Sequence, residues 1–408
     1  MTGHEPLPPF DPSDPAIRAD PYPHYRRYRE SDPVHRTEPP DKRLGGRFYL
    51  FRHGDVVEAL RDPRLGRDWR RLNAALKLPP ELDELQSMFY RWMLIVDPPH
   101  HTRLRGTVSH AFRPRRATAL ASYVEARAEA LLDEALASGK GFDGVRQYAL
   151  PLTVGAIAEL LGVPEERREE VFRSIRALGA IFTGEGTGAN LGGAARSAAE
   201  LSRIFRELLM QRADAPEDDL LSELAAGLDP ESEALREAIA TCVLLFGAGF
   251  ATTVHAMSAA ILTLLRHPRA WAALRDERAN LERAVEELLR YEPPLHGNGR
   301  ISYEDLEIGG VEIPRASLVS CLIGSANRDP DIFPDPERLD LGRDARAHLT
   351  FGQGIHSCLG SPLARLEIRT ALAVLLRRLP ELSLGSQRVE WTAQVGRGPT
   401  KLPLVANL

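Results

Sequence analysis

The residues best suited to chemistry are concentrated in one run, 351–360, which reads Phe-Gly-Gln-Gly-Ile-His-Ser-Cys-Leu-Gly. This run presents Cys358 shortly before a segment with helical periodicity. Backbone N–H groups and the positive end of a helix both favour the thiolate form of a sulfur placed there. Glycines on both sides, Gly352 and Gly360 among them, let a flat molecule approach the backbone closely. A soft anionic sulfur facing a flat partner predicts a ligand to haem iron, and a structural cysteine buried in a turn is the alternative.

The spacing of this run fits the pattern Phe-Gly-x-Gly-x-His-x-Cys-x-Gly at every fixed position. It resembles the cysteine loop of the cytochromes P-450, in particular the soluble bacterial members, and the resemblance extends from about residue 20 to the C-terminus. The resemblance implies a mainly α fold with a small β-rich region and a long central helix over the haem. It also implies haem b (iron protoporphyrin IX) as the cofactor, with Cys358 as the iron ligand. The cofactor-binding residues of the loop would be Phe351, Gly352, His356, Cys358 and Gly360.

Positions for the two haem propionates follow from the same resemblance. His101 and Arg105 stand four residues apart, so both would lie on one face of a helix. Arg300 and His356 match two further positions of this kind. Arginine can bind a carboxylate through two parallel hydrogen bonds, which suits the task, and an exposed surface charge is the alternative for each residue.

The stretch 238–265 contains no Asp, Glu, Lys or Arg and is long enough to cross a membrane. Its hydroxyl residues and glycines favour instead a helix at the centre of a large soluble domain, so no membrane contact is predicted. Small residues, Ala248 and Gly249 among them, occur where such a helix would pass close over the haem. The resemblance places the family's threonine at Thr252, whose hydroxyl would bond to a carbonyl one turn earlier.

The chain departs from the family at Ala251, where most monooxygenase members carry Asp or Glu. Proton delivery during oxygen activation would then depend on Thr252 with water, or on another residue such as His255. The resemblance implies a monooxygenase that inserts one oxygen atom from O2 into a small hydrophobic organic substrate. A peroxide-driven or otherwise atypical haem-thiolate enzyme is one alternative. A non-catalytic haem sensor is the other.

Two further sets of residues surround this chemistry. Glu287 and Arg290 stand three apart in a helical segment and can pair, and the resemblance adds Arg338 as the third member of a structural network. An apolar pocket with a few polar anchors is typical of sites for small organic molecules. Candidate pocket residues are Met93, Phe182, Leu244, Leu295 and Asn298.

The elements that must position these residues are mostly helices. Apolar residues at three- and four-residue spacing predict helices at 119–137, 164–178, 194–211, 281–291 and 361–379. Strands are predicted at 48–51 and between 300 and 321, where 306–308 and 311–313 flank a Gly-Gly turn as a hairpin. Residues 1–19, rich in proline, are predicted to form a flexible arm, and 20–408 a single domain.

Composition restricts compartment and partners. The net charge of −5 over 408 residues shows no basic bias, so nucleic acid is not expected as a partner. Three cysteines without a Cys-x-x-Cys pair predict the reducing cytoplasm. No fused flavin or iron–sulfur domain is evident, so the resemblance implies electrons from a ferredoxin and its NAD(P)H-dependent reductase, delivered to a monomer.

Overall fold

The computed structural model describes residues 7–39, 41, 44–72, 82–137, 139, 141–179, 188–386, 388–392 and 396–407. The chain divides into two compact units, each assembled from two separate stretches of sequence. The first unit consists of Met1–Leu76 and Glu277–Cys358, and the second of Lys77–Asp276 and Leu359–Leu408. The predicted single domain over 20–408 remains a prediction.

The first unit contains most of the strands. Its helices are α1 (Pro15–Ala19), α2 (Pro21–Ser31), α3 (His53–Arg61), α14 (Leu281–Tyr291) and α15 (Ile323–Ala326). Its strands are β1 (Val34–Thr37), β2 (Arg47–Leu50), β3 (Leu65–Gly66), β5 (Asn298–Ser302), β6 (Leu306–Ile308), β7 (Val311–Ile313) and β8 (Leu318–Cys321).

The larger sheet of this unit has the strand order β1–β2–β8–β5–β3. Strands β2 and β8 run parallel, and the other neighbours run antiparallel. Side chains alternate across β2, so Phe48 and Leu50 enter one apolar cluster while Tyr49 enters another. The hairpin predicted at 306–313 is confirmed, because β6 pairs with β7 and both turn glycines have positive φ.

The N-terminal segment is held more firmly than its composition predicts. Phe10 is buried in an aromatic cluster, with its ring centroid 4.9 Å from that of Tyr49 and 5.2 Å from that of Tyr28. Its backbone N–H donates to His35 Nε2 at 3.2 Å, and Ile17 of α1 is also buried. The described residues from 7 onward are therefore anchored by an aromatic cluster, and the flexible arm over 1–19 remains a prediction. One aromatic anchor fixes the segment despite its prolines.

The second unit is mainly helical. Its helices are α4 (Asp83–Phe89), α5 (His100–Val108), α6 (Pro114–Ala119), α7 (Ala121–Ala137), α8 (Leu150–Leu161), α9 (Glu165–Gly179), α10 (Gly188–Asp214), α11 (Leu220–Ala225), α12 (Glu233–Arg266), α13 (Pro268–Arg275) and α16 (Ser361–Arg378). Its strands β4 (Gly141–Asp143), β9 (Leu382–Leu384) and β10 (Pro403–Ala406) form one sheet in the order β4–β10–β9. The helices predicted from periodicity are all present, with ends shifted by a few residues.

The charge-free stretch forms most of α12, a helix of 34 residues at the core of the second unit. The Ser232 side chain caps its first turn by accepting from Leu235 N–H. The helix packs on α8, α10 and α16. By length and composition it could span a membrane, but 67% of its most apolar window is buried inside the protein. Such burial is typical of the core helix of a soluble protein, as the sequence predicts.

Candidate functional site

The loop around Cys358 is shaped by glycine conformations that other residues avoid. Gly352 and Gly354 have φ values of 64° and 73°, in the left-handed region. A Cβ atom at Gly354 would also collide with the backbone carbonyl oxygen of Leu60 in α3. The loop closes through a hydrogen bond of 2.7 Å from the Cys358 N–H to the Phe351 carbonyl oxygen. The loop conformation therefore depends on glycine at two positions.

The three cysteines differ sharply in their surroundings. Cys358 is exposed, whereas Cys242 and Cys321 are buried. Burial raises the pKa of Cys242 far above its usual range, and that of Cys321 to about 11. The sulfur that can act as a thiolate ligand is therefore that of Cys358.

The other predicted loop residues flank Cys358 in the sequence. Phe351 and His356 are half-buried, and the Phe351 ring centroid lies 5.7 Å from that of His348. Gly360 is the N-cap of α16, which begins at Ser361, three residues after Cys358. This arrangement agrees with the predicted cysteine immediately before a helix.

Arg300 is a buried cation on β5, with an unexpected neighbour. Asn298 Oδ1 accepts a hydrogen bond of 2.5 Å from Arg300 Nη1 and another from Arg67 Nη2. A Cβ atom at Gly352 would lie 3.7 Å from Asn298 Nδ2, so the amide lies beside the cysteine loop. The amide oxygen of Asn298 therefore orients two arginines, and its place in a substrate pocket remains a prediction. Arg67 was not predicted, since nothing in its local sequence distinguishes it from the neighbouring arginines.

His101 and Arg105 both belong to α5 and lie one helical turn apart, as predicted. His101 is buried, whereas Arg105 is half-buried. A buried imidazole and a nearby guanidinium on one helix face form a donor set suited to a carboxylate.

One face of α12 is much less enclosed than the rest of that helix. Ala248 is exposed and Ala251 and Thr252 are half-buried, although most of the helix is buried. Thr252 Oγ1 donates to the Ala248 carbonyl oxygen at 3.3 Å, as predicted, and α12 continues without a break.

Gly249 has a packing role in the described structure. A Cβ atom at this position would lie 2.7 Å from Ile157 Cγ1 on α8. Glycine is therefore required for close packing of α12 on α8, and a contact of Gly249 with the cofactor remains a prediction.

The predicted ion-pair network is present, with one different member. The Glu287 carboxylate and the Arg290 guanidinium are both fully buried, and they form paired hydrogen bonds of 2.7 and 2.8 Å. Glu287 Oε1 also accepts from Arg343 Nε at 3.3 Å and from the Asp340 N–H at 2.9 Å. The third arginine is therefore Arg343. The prediction of Arg338 is corrected, because this exposed residue contributes only its carbonyl oxygen, 3.4 Å from Arg290 Nη2.

The other predicted pocket residues fall into three groups. Met93 and Leu244 are buried apolar side chains of the second unit. Leu295, in the first unit, is half-buried. Phe182 lies outside the described residues.

These observations fit a haem for reasons of donor chemistry. The first unit offers an exposed sulfur in a loop shaped by glycines, and a buried guanidinium that donates to the Asn298 amide oxygen and the Gly299 carbonyl oxygen. The second unit offers His101 and Arg105 on α5 and a helix face with small side chains at Ala248 and Ala251. Among the described residues, no group of three or more His, Cys, Asp and Glu is placed to hold a metal ion.

Comparisons with known proteins support the same interpretation. The family model described as Cytochrome P450 matches residues 201–388. The cytochrome P450 monooxygenase PikC of Streptomyces venezuelae is 38% identical over 371 residues, which cover 90% of this chain and 85% of that protein. The 6-deoxyerythronolide B hydroxylase of Saccharopolyspora erythraea is 39% identical over 378 residues, covering 91% of each chain.

A solved structure is similar over nearly the whole length. The crystal structure of P450BioI in complex with an acyl carrier protein ligated to hexadec-9Z-enoic acid matches with a TM-score of 0.88 and 32% identity. The match covers 96% of this chain and 100% of that one. The fold predicted from the sequence, mainly α with a small β-rich region, is confirmed.

Proposed function

This chain belongs to the cytochrome P450 family of haem b-dependent monooxygenases, and on that premise we propose that it oxidises a small hydrophobic organic molecule with electrons from a ferredoxin and its NAD(P)H-dependent reductase. Bound haem supplies an iron at which dioxygen is activated, so that one oxygen atom enters the substrate and the other leaves as water. The chain's own residues must bind this group, exclude water and supply protons.

The observation that carries the proposal is the exposed Cys358 in its glycine-shaped loop. In the proposed site its thiolate ligates the iron. Phe351, Gly352, His356 and Gly360 form the surrounding loop, in which the hydrogen bond from the Cys358 N–H fixes the backbone that carries the sulfur. Because the other two thiols have raised pKa values, they do not compete as thiolates at neutral pH.

Four residues are proposed to hold the propionates, namely Arg300, His101, Arg105 and His356. Arg300 is oriented by Asn298, which also receives Arg67, so the two guanidinium groups are preorganised by one amide oxygen. His101 and Arg105 of α5 would serve the same purpose from one helix face. His356 in the cysteine loop completes the set.

Thr252 is proposed to position water and protons. Its bond of 3.3 Å to the Ala248 carbonyl oxygen is long for a hydroxyl donor, so the hydroxyl can turn towards water at small cost. Ala251 cannot take part in proton transfer, because a methyl group neither donates nor accepts. Proton supply at this position must therefore come from water or from another side chain.

Replacing the ligand tests the assignment of Cys358 directly. Cys358→Ser should abolish the thiolate-type absorption of the ferrous carbon monoxide complex, because serine oxygen is a harder and more basic ligand than a thiolate. Cys242→Ala, which removes a buried cysteine, is the matched control and should retain that absorption. A thiolate-type spectrum in Cys358→Ser would refute the assignment.

The absence of an acid at Ala251 favours one alternative, in which peroxide supplies both oxygen and electrons. The two functions are separated by comparing product formation with ferredoxin, reductase and NADH against formation with hydrogen peroxide alone. We expect product with the redox partners. Product with peroxide only would establish the alternative, and no product with either would favour a haem sensor.

Substrate class and compartment belong to the same proposal. Met93, Leu244 and Leu295 remain the residues proposed for contact with a hydrophobic ligand, and the chain is proposed to act as a cytoplasmic monomer. Suitable first ligands are 6-deoxyerythronolide B and hexadec-9Z-enoic acid, the latter both free and attached to an acyl carrier protein. Binding would be measured as a shift of the haem absorption, with glucose as a polar control that should produce none.

A further inference from the structure

His255 lies on the same helix as Thr252 and has an unusual environment. Its Nδ1 atom is buried and has no hydrogen-bond partner among the described residues. Two glycines of the C-terminal segment enclose the ring. A Cβ atom at Gly398 would lie 2.6 Å from His255 Nδ1, and a Cβ atom at Gly396 would lie 2.5 Å from His255 Cδ2.

The two glycines leave space for the imidazole. Gly398 has no positive φ, so another residue could adopt its backbone conformation. Any side chain at either position would displace the imidazole. The C-terminal segment and His255 therefore form one tightly fitted unit, defined here as the His255 enclosure.

The position of His255 on α12 relates it to the missing acid. It follows Ala251 by four residues and Thr252 by three, so all three side chains lie on one side of the helix. The Cα–Cβ bonds of a helix tilt towards its N-terminus, which inclines the His255 side chain over the turn that contains Ala251. The small methyl group of Ala251 leaves room there. Ala248, one turn earlier on the same side, is exposed.

The chemistry of a neutral imidazole suits proton transfer in this place. An imidazole nitrogen can take up a proton from water and release it again, which a methyl group at 251 cannot do. Burial disfavours the charged imidazolium and so lowers the pKa of His255. Arg397 stands between the two glycines in the sequence. Its guanidinium carbon lies 4.2 Å from the centroid of the Trp391 ring. The imidazole is therefore favoured in its neutral form at pH 7.

We propose that His255 carries protons to the water beside Thr252, in place of the carboxylate absent at Ala251, and that Gly396 and Gly398 hold its ring in the orientation this requires. The inference rests on the proposed monooxygenase function. His255 acts through water and Thr252, and so it is a positioning and relay residue.

Dioxygen reduction by the haem-loaded protein provides the test, with ferredoxin, reductase and NADH as the reagents and no organic substrate. Reduction to hydrogen peroxide consumes one NADH and one proton per dioxygen, whereas reduction to two waters consumes two NADH and two protons in all. The ratio of NADH to dioxygen consumed therefore reports how well protons arrive. We expect His255→Phe to lower this ratio towards one and to slow NADH consumption by about 10²-fold, the usual contribution of a positioned acid–base group.

Rescue and control variants separate a relay from a purely structural role. Adding Ala251→Asp to His255→Phe should restore both the rate and the ratio, because it returns an acid to the same helix face. His267→Phe alters a histidine at the end of α12 whose Nδ1 lies 2.7 Å from the Thr263 carbonyl oxygen, and it should change neither quantity. An unchanged rate and ratio in His255→Phe, with a normal carbon monoxide spectrum, would overturn the proposal. Lack of NADH consumption by the unmodified protein would instead count against the proposed function.

A measurement independent of turnover covers the case in which His255→Phe fails to bind haem. In the ferrous carbon monoxide complex of ¹⁵N-histidine-labelled protein, the His255 resonances are assigned by comparison with His255→Gln. We expect a neutral ring at pH 7 whose N–H proton exchanges with solvent faster than amide protons in the core of α12. A ring proton protected for hours, or a doubly protonated ring at pH 7, would refute the relay.

Discussion

Replacing Glu367 by glutamine should stabilise the protein at neutral pH. Glu367 lies on α16 with 1% of its surface exposed, among buried residues of the same helix such as Leu363 and Ala371. Neither carboxyl oxygen has a hydrogen-bond partner among the described residues. Burial alone raises the pKa of this carboxyl well above its usual value of 4.5, so the folded protein holds it in the protonated form.

The size of the effect follows from the proton that folding must take up. At pH 7 an unfolded glutamate of pKa 4.5 is ionised, and protonating it costs about 1.4 kcal/mol for each pH unit between 4.5 and 7, or about 3 kcal/mol. The pKa is higher in the folded state, so the stability contribution is fully present below pH 4.5 and is lost as the pH rises towards the folded pKa. Glutamine takes up no proton. The free energy of unfolding of Glu367→Gln minus that of the unmodified protein should therefore increase above pH 4.5, by about 1.4 kcal/mol per pH unit, until the pH reaches the folded pKa of Glu367.

Urea unfolding of both haem-loaded proteins, followed by far-ultraviolet circular dichroism at pH 5, 6, 7 and 8, measures this difference. Haem contributes to both proteins and cancels in the comparison. The exposed Glu231→Gln is the matched control, and its difference should be flat with pH because that carboxyl is hydrated in both states. A pH-independent difference for Glu367→Gln would refute the reasoning. So would infrared spectra at pH 7 in which the substitution removes a carboxylate band and not a protonated carboxyl band.

Three further substitutions have defined outcomes. Glu287→Gln should lower the free energy of unfolding by about 3–5 kcal/mol, because it leaves buried guanidinium groups without their counter-ion. Arg338→Ala should change it by less than about 0.5 kcal/mol, and urea midpoints measure both. Gly354→Ala should prevent formation of the thiolate-type carbon monoxide spectrum while far-ultraviolet circular dichroism stays unchanged, since its Cβ collides with a carbonyl of α3; a normal spectrum would contradict the loop argument. Phe10→Ala should cost about 3–5 kcal/mol in urea unfolding, and the exposed Ile332→Ala, as the control, less than 1 kcal/mol.

Local patterns predicted the elements of the fold well. Helical periodicity located α7, α9, α10, α14 and α16, and the charge-free stretch predicted the buried α12. These signals depend on residues three and four apart, which meet through the helix itself and need no distant partner. The Gly-Gly hairpin is local in the same sense.

Contacts between distant residues were predicted less well. Arg338 and Arg343 lie in one irregular segment, and the turns of that segment, which sequence spacing does not fix, decide which guanidinium reaches Glu287. The hydrogen bond between Arg67 and Asn298 was not predicted, because Arg67 lies in a strand connection that is remote in the sequence. The N-terminal segment appeared loose by composition, yet one ring, Phe10, finds partners contributed by several elements.

The uneven enclosure of α12 has a practical side for laboratory evolution. Positions such as Met257 and Ile261 are wholly surrounded, and any change of volume there is expected to reduce the yield of folded protein. Ala248, Ala251 and Thr252 are less enclosed by the polypeptide, so libraries at these three positions are expected to disturb the packing of the chain itself less than changes at the buried positions. Libraries at these positions would therefore be expected to change catalytic activity more than they change the stability of the folded chain.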